Sequence, residues 1–100
     1  MKAVMFSPRA KIDAHEAQAW HEERETGLGA EFSESLERSL EIMQKSPETP
    51  RRFQAGYRKI LLHRFPYHVV YEVQLDCIWV LAVLDARRNP ATLRKRLRGK

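Results

Sequence analysis

Two histidines and an arginine flank one proline in the stretch HRFPYHVVYEV, residues 63–73. Imidazoles titrate near neutrality and guanidinium groups bind anions, so His63, Arg64 and His68 form a set suited to holding a carboxylate or a phosphate. Pro66 fixes a turn between two strands, and side chains alternate along a strand. Some of this set is therefore expected to meet Arg87 and Arg88, which follow the last apolar run, at one rim. Other chemistries find less support. His15 and His21 lie six apart on one helix, which is not a one-face metal spacing, and both are assigned to solvent. Cys77 is the single cysteine, has no histidine at metal spacing and reads as a small apolar or turn residue. No glycine-rich phosphate loop and no Ser/His/Asp signature occurs, so neither a metal nor a cofactor is expected.

The chain that must position these residues has 100 residues, enough for one core and too few for two. With 43% hydrophobic and 31% charged residues it is neither disordered in composition nor apolar over a membrane-spanning length. The N-terminal apolar run stops at Ser7-Pro8, short of a secretory signal, and a cytoplasmic protein is expected. The net charge of +5 hides an asymmetry. Residues 1–50 hold 6 Lys/Arg against 10 Asp/Glu, a net −4, whereas residues 51–100 hold 12 against 3, a net +9. The second half thus builds a basic surface suited to an acidic partner, either nucleic acid or a carboxylate-rich protein.

Residues 2–6 read as a strand. Ser7 and Pro8 then supply an N-cap hydroxyl and a first-turn proline. In the helix that follows, Ala10, Ala14, Ala17 and Trp20 form a narrow apolar face, Asp13, Glu16, Glu22 and Glu23 lie mostly away from it, and Gly27 serves as its stop. The run HEERE is a solvated face, and Trp20 and Trp79 are core or interface residues. A second helix over 30–45 carries the stripe Phe32, Leu36, Leu40 and Met43, and Pro47 closes it. SPETPRRFQAG is a surface connection. Three strands follow, YRKILLHRF, YHVVYEVQL and CIWVLAVLD, with Tyr67, Val69, Tyr71, Val73 and Leu75 on the core face of the middle one. The third strand is apolar on both faces and so central, with the N-terminal strand expected at its free edge. The expected fold is α+β: an N-terminal strand, a helical hairpin and a three-strand antiparallel meander, in one domain spanning 1–100. About four strands are covered on one face by the helices. A basic tail over 87–100 is either a short helix after Pro90 or disordered.

The order β-α-α-β-β-β resembles the RelE/ParE superfamily of toxins from bacterial type II toxin–antitoxin systems. The likeness rests on the SPRA helix start, the tryptophan near the end of the first helix, the R…RFPYHVVYEV hairpin and the closing R-R-N-P. It implies a growth inhibitor held inactive by an acidic antitoxin encoded beside it, in a toxin–antitoxin hetero-oligomer and without membrane contact. RelE-like members implied by this likeness are ribosome-dependent mRNA endonucleases, whereas ParE-like members act on DNA gyrase. Cleavage through the 2′-hydroxyl needs a base, an acid and cations beside the phosphate. The likeness places His68 where the nucleases carry a phosphate-contacting arginine, and Arg87 and Arg88 near the arginines after the last strand. It also places Leu93 where many nucleases carry a histidine or tyrosine, and Asp85 where related sequences often carry histidine. The proton carrier is thus missing, and the expected function is ParE-like contact with a target such as gyrase. The alternatives are a ribosome-dependent endonuclease using His68, Arg87 and Arg88, and a non-toxic module that only binds antitoxin. His63, Arg64, Arg94, Lys95, Arg96 and Arg98 are the expected target- or antitoxin-binding residues.

Overall fold

Ser7 turns the first corner. Its backbone N–H donates to the Val80 carbonyl, extending the pairing of strand β1 (Ala3–Phe6), and its hydroxyl accepts from the Ala10 N–H at 3.1 Å to cap helix α1 (Pro8–Arg24). The computed structural model describes residues 1–99; Lys100, the last residue of the expected tail, lies outside the described residues. Helix α2 (Leu28–Lys45) follows almost at once. Gly27 does not stop α1 as a C-terminal glycine. It sits at φ 93°, a left-handed conformation that suits glycine, and starts α2 instead. The Glu22 carboxylate accepts the N–H groups of Gly27 and Gly29, placing an anion on the positive end of α2. So close is the approach that a Cβ at Gly29 would lie 3.0 Å from the Gln18 carbonyl.

The connection after α2 contains a strand that the sequence did not reveal, β2 (Arg52–Gln54). It pairs with β3 (Tyr57–Leu61) through the turn residues Ala55 and Gly56, at φ 47° and 87°. Two positive φ values are what a tight hairpin of this hand requires, but Ala-Gly is a weaker signal than Asn-Gly. Strands β4 (Tyr67–Val73) and β5 (Cys77–Asp85) complete the meander, and α3 (Pro90–Arg98) ends the described chain. Asn89 caps α3 through its side chain, so the tail is a helix. The sheet therefore has five strands rather than four, in the order β1-β5-β4-β3-β2, with β1 parallel to β5 and the other neighbours antiparallel.

Helices α1 and α2 cover one face. Ala10, Ala17, Phe32 and Met43 meet Val69, Tyr71, Ile78, Val80 and Val83 there, with Leu36 and Leu40 packed alongside. The opposite face carries a second, smaller core in which Leu97 of α3 joins Tyr57, Val70, Leu81 and Ala82. A bulge makes both cores possible: Val70 pairs with Ala82 but Tyr71 with Val80, so Leu81 is an extra residue on β5. Leu81 and Ala82 then face α3 together while Val80 and Val83 face the hairpin. The middle strand's second face is thus apolar at Val70 and polar only around it. Leu75, expected in the core, is 89% exposed because β4 ends at Val73 and the chain turns.

Two polar side chains fasten the long connection. The Tyr71 hydroxyl donates to the Pro47 carbonyl, and the buried Arg58 guanidinium donates to the carbonyls of Glu48 and Pro50. Among the described residues, no helix is long and apolar enough to cross a membrane.

Candidate functional site

The expected rim divides in two. Strand β3 ends at Leu61, so His63 and Arg64 lie in the turn rather than on a strand. Leu62 and Phe65 insert into the hairpin-side core, which turns His63 and Arg64 outward toward α2. There the Ser35 hydroxyl donates to the His63 carbonyl, and Arg64 pairs with Glu31 at 2.7 Å. His68, one strand position after Tyr67, faces the other side.

On that side His68 lines a hollow of ≈ 200 Å³ with Lys59, Arg88 and Arg94, floored by Phe53, Val70 and Leu93. Burial, and next the Lys59 ammonium, push the His68 imidazole below its ordinary pKa, so it is neutral at pH 7. Asp85 also lines the hollow, but its carboxylate is paired with Arg87, so three cations and a neutral imidazole are left to suit an anion such as a phosphate oxygen. Arg87 is not part of this set. It closes on Asp85, donating from Nε at 3.1 Å and from its terminal nitrogen at 2.9 Å, and lines a separate hollow with Trp20 and Tyr67. The side-chain hydrogen bond from Arg87 holds the Asp85 carboxyl below its ordinary range. Asp85 is therefore a locked carboxylate rather than an acid with a proton to give. Leu93 packs on the second core, leaving its position apolar.

The tail residues also separate by role. Arg94, Lys95 and Arg98 are exposed on α3, whereas Arg96 folds back onto Asp13 of α1 at 2.6 Å, with both side chains largely buried. Asp13, expected in solvent, also accepts the Val83 N–H at 3.0 Å. It ties α1, β5 and α3 together at one carboxylate, and Arg96 is a structural residue in this fold. Lys59 and Arg94 are members of the His68 hollow that sequence reasoning did not connect with it. The alternation of β3 against β4 was the available signal, since Lys59 pairs with Val70 and Leu61 with His68 on the same face.

His21 is the clearest departure from expectation. The apolar face of α1 runs through Ala10 and Ala17 to His21, leaving Trp20 46% exposed beneath the Arg24 guanidinium at 3.4 Å from its ring centroid. His21 is buried against Phe32, stacked at 5.5 Å, with Phe65 and Tyr67 edge-on. Its Nε2 is buried without a hydrogen-bond partner. Burial, reinforced by the positive charge of Arg24, lowers its pKa, so the imidazole is held neutral. Among the described residues, no cluster of His, Cys, Asp and Glu side chains gathers to hold a metal ion.

A five-stranded sheet with a helical hairpin on one face and a basic end where β5 passes into α3 is the fold expected of the RelE/ParE class. The model for the ParE toxin of the type II toxin-antitoxin system parDE matches residues 4–90, and the chain belongs to that family. Two solved structures are similar in fold. One is the chromosomal ParDE TA system from P. aeruginosa, at 14% identity over 87% of this chain and 98% of that one, with a TM-score of 0.65. The other is the isolated E. coli RelE toxin, at 22% identity over the whole of both chains, also with a TM-score of 0.65. No curated protein matches the sequence.

Proposed function

We propose that this toxin stops growth in the ParE manner, by contact with a protein target such as DNA gyrase in the cytoplasm. An acidic antitoxin encoded beside it restrains it in a hetero-oligomer. The observation that carries this reading is the match to the ParE family across residues 4–90. The geometry agrees with it, because Asp85 is locked by Arg87 and Leu93 is packed into the second core, leaving the anion hollow without an evident proton donor. Arg94, Lys95 and Arg98 then serve as a cationic contact ridge, and exposed His63 contributes at the turn. The test is a supercoiling assay with purified protein. Inhibition at concentrations that arrest growth is expected, and untouched supercoiling at those concentrations overturns the reading.

One observation favours a second reading, mRNA cleavage on the ribosome: the gathering of His68, Lys59, Arg88 and Arg94 in one hollow. A neutral imidazole can accept a 2′-hydroxyl proton while the cations hold the phosphate. On this reading His68→Ala and Arg88→Ala abolish cleavage. Arg87→Ala, which removes a residue outside the hollow, leaves most of it. Message 5′ ends mapped within minutes of induction decide the matter, since intact messages in arrested cells remove the nuclease reading.

A further inference from the structure

The sheet has two outer edges, and they are guarded differently. Strand β2 is three residues long, begins at exposed Arg52 just after exposed Arg51, and runs in irregular register against β3. Charge and irregularity of this kind keep an edge from pairing with another chain. Strand β1 has neither. Ala3-Val4-Met5-Phe6 carries no charge and lies in regular register with β5, and the preceding Lys2 turns its ammonium onto the Gln74 carbonyl at 2.7 Å. Ser7 fixes which way the peptide groups point, because its N–H reaches Val80 of β5. Peptide groups alternate along a strand, so those of Met5 also face β5 and those of Val4 and Phe6 face outward, where among the described residues no strand lies. Lys2 belongs to the same outward set, but its carbonyl already accepts from the Gln44 amide. The open pair is thus Val4 and Phe6.

Side chains follow the same alternation. Val4 and Phe6 are partly buried against the hairpin-side core, while Met5, beside Trp79 of β5, is 49% exposed on the opposite face. Trp79 is also part of the floor, with Leu81, of an open groove between α1 and α3 lined by Arg9, Ile12 and Lys95. The exposed methionine therefore stands at the outer end of an apolar strip.

We propose that β1 pairs antiparallel with β1 of a second copy of this chain, joining two five-stranded sheets into one continuous sheet. A two-fold axis fixes the register. With the outward groups on Val4 and Phe6, Val4 of each copy lies opposite Phe6 of the other, and each such pair exchanges two N–H···O=C bonds. Met5 then lies opposite its own copy at the axis, in the closer, non-hydrogen-bonded kind of pair, where the two thioethers cover each other and Trp79. A second copy is the occupant this edge fits because the pattern is its own complement. Donors, acceptors, the Val–Phe pairs and the central methionine all repeat under the two-fold, and no like charges within the strand oppose it. The inference does not depend on which target the toxin contacts.

The test is sedimentation equilibrium of the full chain over a range of concentrations. A monomer–dimer equilibrium with a Kd of about 10 μM is expected, the weak class that suits so small an interface. Val4→Pro removes an outward N–H without touching the bonds to β5, as an edge strand tolerates, and is expected to weaken the dimer about 30-fold through one lost hydrogen bond on each copy. Met5→Lys sets two ammonium groups face to face at the axis and is expected to weaken it about tenfold. In a Cys77→Ser background, Met5→Cys is expected to cross-link under mild oxidation, whereas Ala3→Cys, which the register sets opposite Ser7 of the second copy, is not. Circular dichroism melts identify any variant that fails to fold, and the cysteine pair, made at exposed positions, keeps the test open if Val4→Pro does. A chain that stays monomeric at about ten times that Kd overturns the proposal. So does parental dimerisation in both Val4→Pro and Met5→Lys, or equal cross-linking from positions 3 and 5. A monomeric chain whose Met5→Lys form no longer binds the product of the adjoining reading frame assigns the edge to that protein, and the proposal is then wrong as well.

Discussion

The two faces of the sheet are built to different standards. On the hairpin side, two helices bring Phe32, Met43 and the aromatic group around His21 against five strand residues, and the large side chains are fully covered. On the other side a single short helix covers part of the surface with Leu93 and Leu97, leaving the His68 hollow and the α1–α3 groove open beside it. Arg9, Arg88, Arg94 and Lys95, which among the described residues have no acidic partner within ion-pair distance, collect there, and Lys59 lies over the Phe53 ring. Buried apolar packing is thus concentrated on one face and open hollows lined by cations on the other, and the difference follows from how much apolar area each covering element can bury.

The largest expected effect comes from the hairpin face. Phe32→Ala removes a fully buried ring from the aromatic group and should cost about 3–5 kcal/mol in denaturant unfolding. A cost below about 1 kcal/mol would mean that this face is not the main source of stability. Next is the joint between the faces. Asp13→Ala strands the largely buried Arg96 and the Val83 N–H, and should cost about 3 kcal/mol, whereas Arg94→Ala on the exposed side of α3 should stay within about 0.5 kcal/mol. Leu97→Ala should cost about 2 kcal/mol. Its sharper readout is hydrogen exchange, where protection should fall in α3 and persist in β4.

Acid should distinguish the faces more finely. His21 and His68 both have folded pKa values below the unfolded value of 6.5. Well above pH 6.5 both are neutral folded or unfolded and contribute no pH dependence. As pH falls below 6.5 the unfolded chain takes protons that the folded chain refuses, so stability is lost until the folded values are reached. His21→Phe should flatten that slope more than His68→Gln does, because His21 is the deeper and its Nε2 has no partner to receive a proton's charge. Equal flattening by the two would show that burial on the hairpin side does not dominate. The smallest effect is at the β2–β3 turn, where Ala55→Asn relieves a left-handed alanine and should stabilise by about 0.5 kcal/mol, seen as a small rise in melting temperature.

Local signals in the chain were strong enough to place most elements. Ser7-Pro8 starts α1 and the Phe32-to-Met43 stripe lays α2 on the sheet, each because capping and periodicity act within a few residues, whereas the tail after Pro90 is open by sequence between helix and disorder, and the Asn89 cap shows it to be a helix. Errors came where a partner distant in sequence intervened. Asp13 looked like one more solvent carboxylate until β5 and α3 supplied its donors from 70 and 83 residues away. His21 looked polar, but three aromatic rings from α2, the β3–β4 turn and β4 make its place an apolar one. Strand β2 is three residues long, too short to show a period, and exists because β3 offers it an edge.

By itself the sequence determined the first strand, the helical hairpin, the three-strand meander and the basic second half, since these depend on composition, caps and spacing along the chain, and its motifs carried the resemblance to a toxin family. Tertiary structure alone decided which cations are free. Arg58, Arg64, Arg87 and Arg96 are paired or bonded at home, while His68 gathers Lys59, Arg88 and Arg94. The reason is that a charge is spent or available according to what the fold brings within about 4 Å of it, and no local pattern encodes that distance.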